Sequence, residues 1–178
     1  MKNISSVFWI SGLSGSGKST IALESKIWFS KKGYKVLILD GDKIRNNYKI
    51  KLSYSREDVK NNNLFAAEIC KNAMDDFDLI IAPIISPYES DRKAIKNIIR
   101  YNFHLIYCKA SIKDLYKRDT KGLYYKERIG EIDDLIGISK NSPYEEPQSP
   151  ELIINTSINN KEESVKKFID YVRLNIGV

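Results

Sequence analysis

A chain of 178 residues with 29 Lys and Arg against 23 Asp and Glu, a net charge of +6, two cysteines and one histidine has the length of one domain, 1–178. With 42% hydrophobic residues it buries a core of its own, which excludes a disordered segment, a collagen or a disulfide scaffold. No apolar run approaches the ~20 residues of a membrane span, Met1 to Ser6 carries no basic-then-apolar leader, and the basic excess alternates with acidic residues, so we expect a cytoplasmic protein that binds small phosphorylated ligands rather than nucleic acid or membrane.

Val7 to Ile10 is the first β-prone apolar run and predicts a buried strand. Gly12-Leu13-Ser14-Gly15-Ser16-Gly17-Lys18-Ser19-Thr20 follows directly, a full match to the phosphate-binding loop pattern, and helical spacing runs from Ser19 to Lys32 behind it. Strand, glycine loop and helix in that order let backbone amides and the helix N-terminus converge on a nucleotide β-phosphate. Lys18 then reaches the β- and γ-phosphates as a point charge, the Ser19 hydroxyl ligates a bridging Mg²⁺, and Thr20 adds a phosphate contact. ATP with Mg²⁺ is the expected pair, although such a loop establishes a nucleotide and not a reaction.

Gly33 reads as the C-cap of that helix, and Tyr34 to Leu39 as the second strand. It ends on Asp40-Gly41-Asp42, with Arg45 just beyond. Two carboxylates there would flank the phosphate loop, one orienting an attacking hydroxyl or holding Mg²⁺ through water, and Arg45 would offer a fork to an anionic group. A polar turn with a capping aspartate accounts for the same residues. Further along, the spacing predicts helices over Glu57–Met74, Ser90–Arg100 (capped by Ser90 or Asp91), Ile112–Lys117 and Lys161–Asn175. Strands are predicted over Leu79–Ile85, Phe103–Cys108 and Leu152–Ile154. The alternation predicts an α/β fold, a mainly parallel sheet with helices on both faces and ligands beyond the carboxyl ends of the strands.

Thr120 to Pro150 breaks the rhythm, with Gly122, Gly130, Gly137, Pro143, Pro147 and Pro150 between short charged pieces. It reads as a lid or binding loop over about 120–150, with a solvated insertion as the alternative. Cys70 and Cys108 lie in apolar segments without metal spacing and are expected as buried free thiols. His104, inside an apolar run, is expected to pack rather than act as a base, and Trp9, Trp28, Tyr124 and Tyr125 to serve packing.

Several stretches together resemble the adenylylsulfate kinase, or APS kinase, family over nearly the whole chain. They are Gly12 to Thr20, Asp40-Gly41-Asp42 with Arg45, Ser55 and Asp58 with Asn62, Ile85-Ser86-Pro87-Tyr88 with Arg92, and Arg118-Asp119 with Lys121-Gly122-Leu123-Tyr124. Gly130-Glu131-Ile132, Gly137-Ile138 and Pro143-Tyr144-Glu145 with Pro147 complete the match. The resemblance implies a five-stranded parallel P-loop kinase with a mobile lid, acting as a homodimer. Such an enzyme moves the ATP γ-phosphate to the ribose 3′-hydroxyl of adenosine 5′-phosphosulfate. It implies that Asp40 lies near the acceptor hydroxyl and that Asp42 supports the loop and the metal's water. Arg45, Asn62, Ile85 and Ser86 then face the acceptor nucleotide, Lys121 and Leu123 reach over both ligands, and Arg118 with Thr156 lies near the ATP base. Ser86 has been described in the family as a phosphoenzyme candidate. A loose transition state needs positioning and charge neutralisation more than a covalent relay, so direct transfer is expected, with Lys18, Mg²⁺ and Lys121 supplying charge and Ser86 a hydrogen-bonding wall.

Two positions depart from the family pattern, both on the acceptor side. Val59 stands where the family has an arginine gripping the phosphosulfate, and charged hydrogen bonds are worth about 1.5–3 kcal/mol each. Tyr54 keeps the first aromatic that sandwiches the acceptor adenine, whereas Leu135 replaces the second, at a site where stacking is worth about 1–3 kcal/mol. A pyrimidine nucleotide with a less anionic 5′ group suits both changes; cytidine diphosphoramidate, the acceptor of an APS-kinase-like enzyme of capsule phosphoramidate synthesis, is such a molecule. Alternatively Lys49, Lys51 or Lys60 replaces the charge and adenylyl sulfate remains the acceptor. A P-loop kinase of another small metabolite, with no need of Asn62 or Lys121, and a nucleotide-gated regulatory protein without turnover, against which Lys18, Ser19, Asp40 and Lys121 speak, are the other readings.

Overall fold

The computed structural model describes residues 5–41, 44 and 55–177. Asp42, Arg45 and Tyr54, expected on the acceptor side, lie outside the described residues, as do Lys49 and Lys51. Five strands, β1 (Ser6–Ser11), β2 (Val36–Ile38), β3 (Leu79–Pro83), β4 (Phe103–Lys109) and β5 (Leu152–Asn155), form one parallel sheet in the order β2-β3-β1-β4-β5. The central strand is β1, in which Val7 aligns with Ile80 on one side and with Phe103 on the other. Every residue of β1 is buried, as a strand covered on both faces requires, which is why it reads as a continuous apolar run.

Helices α1 (Lys18–Lys31), α2 (Arg56–Ala73), α3 (Glu89–Ile99), α4 (Ile112–Arg118), α5 (Leu123–Arg128) and α6 (Lys161–Ile176) connect and cover the strands. Alternate side chains of β1 feed two cores. Phe8 and Ile10 join Phe29 of α1 and Phe168 of α6 on one face, and Val7 and Trp9 join Ala66 and Ala67 of α2 and Ile95 of α3 on the other. Side chains cap where they were needed: Ser55 Oγ accepts from the Asp58 amide at 3.2 Å, and Asn160 with Glu163 closes a capping box at α6. Among the described residues, no helix is long and apolar enough to cross a membrane.

Three expectations about elements need correction. The second strand is confined to Val36–Ile38, because it is an edge strand paired on one side only and Tyr34 turns to pack edge-on against Phe29. The third strand stops at Pro83, short of Ile85. Helix α3 starts at Glu89 behind an N-cap Tyr88 that makes no side-chain cap, not behind Ser90 or Asp91. Asp91 is 2% exposed and takes both Arg56 guanidinium nitrogens at 2.7 Å, a bidentate pair stronger than a capping bond. Gly33, at φ 90°, follows the last turn of α1 and returns its amide to Ser30.

Cys70 and Cys108 are buried and free, and burial pushes the Cys70 thiol up to about 12. His104 stacks on Phe8 at 4.8 Å and shares a 2.9 Å hydrogen bond with the Tyr171 hydroxyl. Burial holds its pKa below the usual 6.5, outweighing the opposing pull of Glu151. A depressed histidine stabilises the fold fully above the unfolded pKa, so we expect thermal stability to fall as pH drops from 6.5 through the folded value. As His104 is the only histidine of the chain, His104→Gln is expected to flatten that part of the pH–Tm curve while leaving the carboxylate-driven fall at lower pH.

The irregular segment is not a solvated insertion. It contains α5, it buries Tyr124, Leu135, Ile136 and Ser142, and its polar groups bond to the glycine loop, to β1 and to α3. The Tyr124 hydroxyl donates to the Ser14 carbonyl at 2.6 Å, Tyr144 and Ser11 share a 2.8 Å hydroxyl bond, and Arg92 donates to the Glu145 carbonyl at 2.8 Å.

Candidate active site

The end of β1 turns into the glycine loop at Gly12, where a side chain is excluded: a Cβ would stand 2.4 Å from the Cys108 carbonyl of β4. Gly15 and Gly17 adopt φ of 73° and 99°, and Gly17 is the N-cap of α1. No side chain caps α1 and no acidic residue sits in its first turn. The N-terminal amides and the positive end of the helix dipole therefore stay available to an anion. Lys18 is 7% exposed and its ammonium donates to the Leu13 carbonyl at 2.7 Å, which holds the side chain across the loop.

The loop is braced from behind. The Ser16 carbonyl accepts from Cys108 Sγ and from Thr156 Oγ1, both at 2.9 Å, and Arg118 in turn donates to Thr156 Oγ1 at 3.1 Å and to its carbonyl. Gly12, Leu13 and Ser16 of the loop, and Arg118 and Thr156 behind it, therefore shape and brace the loop without forming the wall of the cavity in front of it.

That cavity is walled by five stretches of chain. Ser14, Gly15 and Gly17 to Thr20 come from the loop and α1; Asp40 and Gly41 follow β2; Pro83 to Pro87 end β3 and leave it; Val59, Asn62 and Asn63 come from α2; and Thr120, Lys121 and Ile136 come from the irregular segment. Lys18, Ser19, Thr20, Asp40, Val59, Asn62, Ile85, Ser86 and Lys121, widely separated in sequence, therefore share one space. It lies beyond the carboxyl ends of β1 and β3, where an open parallel sheet places its ligands.

Ser86 is held in a left-handed conformation, φ 44°, that only surrounding bonds sustain in a non-glycine residue. The Trp9 indole donates to Ser86 Oγ at 2.8 Å, Arg92 donates to the Ser86 carbonyl at 2.7 Å, and Ser11 Oγ donates to the neighbouring Ile85 carbonyl at 2.6 Å. Ser11 in turn accepts from Tyr144, whose phenol burial keeps protonated and able to donate.

Leu123 and Leu135 are not on the cavity. Both pack with Leu115 and Tyr124 in an apolar cluster against Leu13, behind the loop. The residue that faces the cavity is Ile136, which packs on Val59 and Tyr88. Leu135 opens a turn, its carbonyl accepting from the Ile138 and Ser139 amides at 3.0 Å, and the chain reverses there so that the two neighbours pack into different clusters. Gly137 follows at φ 85°, where a Cβ would come within 2.1 Å of Leu13 Cδ2. Asn63, Thr120 and Ile136 are wall residues that the sequence did not single out. For Asn63 the signal was there: it lies four residues after Val59 and one after Asn62, on the helix face that α2 buries.

The donor set fits a Mg²⁺ shared with phosphate oxygens. Ser19 and Asp40 both reach the cavity, and no group of three or more His, Cys, Asp or Glu side chains able to cage a metal exists among the described residues. Magnesium is ordinarily bound by one or two protein oxygens with substrate phosphates and water completing its shell.

Comparison with known proteins sets this geometry among phosphotransferases. The family model described as adenylylsulphate kinase matches residues 4–155. The adenylyl-sulfate kinase of Bacillus licheniformis is 40% identical over 170 residues, covering 95% of this chain and 85% of that protein. That of Geotalea uraniireducens is 41% identical over 167 residues, 93% of this chain and 79% of the other. Among solved structures, Mycobacterium tuberculosis APS kinase CysC in complex with AMPPNP and APS superimposes with a TM-score of 0.87 at 30% identity, over 95% of this chain and 98% of that one.

Proposed function

From the premise that the chain belongs to the adenylylsulphate kinase family and is a kinase of P-loop fold, we propose that it transfers the γ-phosphate of ATP to the ribose 3′-hydroxyl of a nucleotide bearing a modified 5′-phosphate. The observation that carries this reading is the single cavity shared by Lys18 and Ser19, Asp40, Asn62 and Lys121. It offers a triphosphate cradle on one side and a polar wall for a second nucleotide on the other.

In this scheme the loop amides and Lys18 hold the β- and γ-phosphates. Ser19 and Asp40 are the residues that hold Mg²⁺, which when bound neutralises phosphate charge. Asp40 aligns the acceptor hydroxyl and takes its proton late, as the new O3′–P bond forms and the bond from Pγ to the bridging oxygen of ADP breaks. Lys121 offsets charge on the transferring group from the opposite wall. Arg118 and Thr156 lie behind the loop toward the ATP base, residues 120–150 act as the lid, and the enzyme works as a homodimer. Ser86 is 1% exposed and its Oγ accepts from the Trp9 indole, so one lone pair of the oxygen that a covalent relay would use is already engaged, which supports direct transfer.

The names of the relatives support adenylyl sulfate as the acceptor. One observation favours a second reading, cytidine diphosphoramidate: Val59 is 5% exposed and forms an apolar patch of the wall with Ile136. Lys60, the described candidate for a replacement charge, is not part of that wall. Leu135, packed with Leu115 and Tyr124 and not on that wall, lends support to neither acceptor.

The test is an acceptor panel: purified protein with ATP and Mg²⁺, adenylyl sulfate against cytidine diphosphoramidate, scored by ADP release and by phosphorus NMR of the product. A 3′-phosphorylated nucleotide from either, with unphosphorylated protein by mass spectrometry, is the expected result. The higher kcat/KM identifies the acceptor. ADP release only with a non-nucleotide metabolite, or none with any acceptor, overturns the reading.

A further inference from the structure

Helix α2 buries one stripe, Val59, Asn62, Asn63, Ala66, Ala67 and Cys70. The C-terminal half of that stripe is apolar and packs into the core under β1 and β3, as helical spacing requires. The N-terminal half faces the cavity and there carries two carboxamides. Asn62 is 3% and Asn63 is 2% exposed. Asn62 Oδ1 and Asn63 Nδ2 have no hydrogen-bond partner among the described residues.

Buried polar atoms are almost always paired, and an orphan is unfavourable unless something outside the fold satisfies it. Ser25 is likewise buried without a partner but lies away from the cavity. The two asparagines differ in being side by side on the wall of a space large enough for a ligand. Packing does not explain them, since an aliphatic residue at position 63 would fill the same stripe without the orphaned donor.

We infer that Asn63 is a specificity-determining residue for the acceptor nucleotide: Asn63 Nδ2 donates to an acceptor atom on the edge of its base, while Asn62 Oδ1 accepts an N–H from the same edge. The inference rests on the two-nucleotide reading above. It adds a contact that was not expected of the segment and gives the wall a polar site next to the apolar patch of Val59 and Ile136. Base edges carry such adjacent acceptors and donors, whereas phosphate and sulfate carry acceptors only.

The test uses Asn63→Leu, which keeps the branching of the side chain at a somewhat larger volume and removes the amide, and Asn63→Asp, which keeps the shape and removes the donor. With the acceptor that the wild-type enzyme phosphorylates, both variants are expected to raise the acceptor KM at least tenfold. The ATP KM should stay within twofold and kcat within threefold, and the Tm of Asn63→Leu should be no lower than wild type. An unchanged acceptor KM in either variant, or an ATP KM that rises in parallel, overturns the inference. If the wild type phosphorylates no nucleotide, it is the function reading that has failed. Calorimetric titration with AMP and CMP then decides Asn63: weaker binding by Asn63→Leu than by wild type sustains it, and equal or absent binding by both overturns it.

Discussion

Lys18→Ala is expected to lower kcat by at least about 10²–10³-fold, the loss seen when one preorganised charge donor is removed from a developing anion. The ammonium is already placed: Lys18 is 7% exposed and its Nζ is tied to the Leu13 carbonyl at 2.7 Å, so little reorganisation is needed for it to neutralise phosphate oxygens. A second readout separates lost chemistry from lost fold. ATP binding stabilises the wild type by mass action and raises its Tm, and in Lys18→Ala that increment should shrink while the ligand-free Tm changes little. Retention of more than a tenth of wild-type kcat would remove Lys18 from the transition state.

Gly137→Ala should give the largest loss of stability of any single methyl addition in the segment between α5 and β5. At φ 85° a side chain costs about 1–2 kcal/mol. The added Cβ would also stand 2.1 Å from Leu13 Cδ2 and 3.2 Å from Tyr144 Cβ, and overpacking of this kind costs about 1–3 kcal/mol more. For a chain of this size that corresponds to a fall in Tm of roughly 5–15 °C. Because Leu13 carries the carbonyl that holds Lys18, its displacement is also expected to raise the ATP KM. Gly130→Ala is the internal control: φ is 75° but no atom lies within 4 Å of the added group, so only the backbone cost applies. Equal losses of Tm in the two variants would show that the Leu13 contact contributes nothing.

The parts that could be read from sequence are those whose physics is local. The strands β1, β3 and β4 announce themselves as apolar runs because both of their faces are covered, and the glycine loop because its mechanism fixes residue types at fixed spacing. What was missed depends on partners distant in sequence. Asp91 reads as a helix cap until Arg56 is placed beside it. Leu135 reads as a wall residue until Gly137 sets which neighbour meets Leu13 and which meets Val59. Asn63 reads as one more polar residue in a polar stretch of α2, and only burial shows that its amide lies where a hydrocarbon was due.

The strand order has a temporal meaning as well. Val7, near the start of the chain, gains its neighbours only when Ile80 and then Phe103 arrive, and β5 closes the sheet later still beside β4. During synthesis the centre of the sheet therefore waits for the segments around Ile80 and Phe103 to emerge, and closing such distant segments slows folding. The nucleotide cradle hangs from that waiting strand and is braced by Cys108 and Thr156, so a ribosome-bound fragment ending before them carries the full motif but lacks the braces that fix its shape.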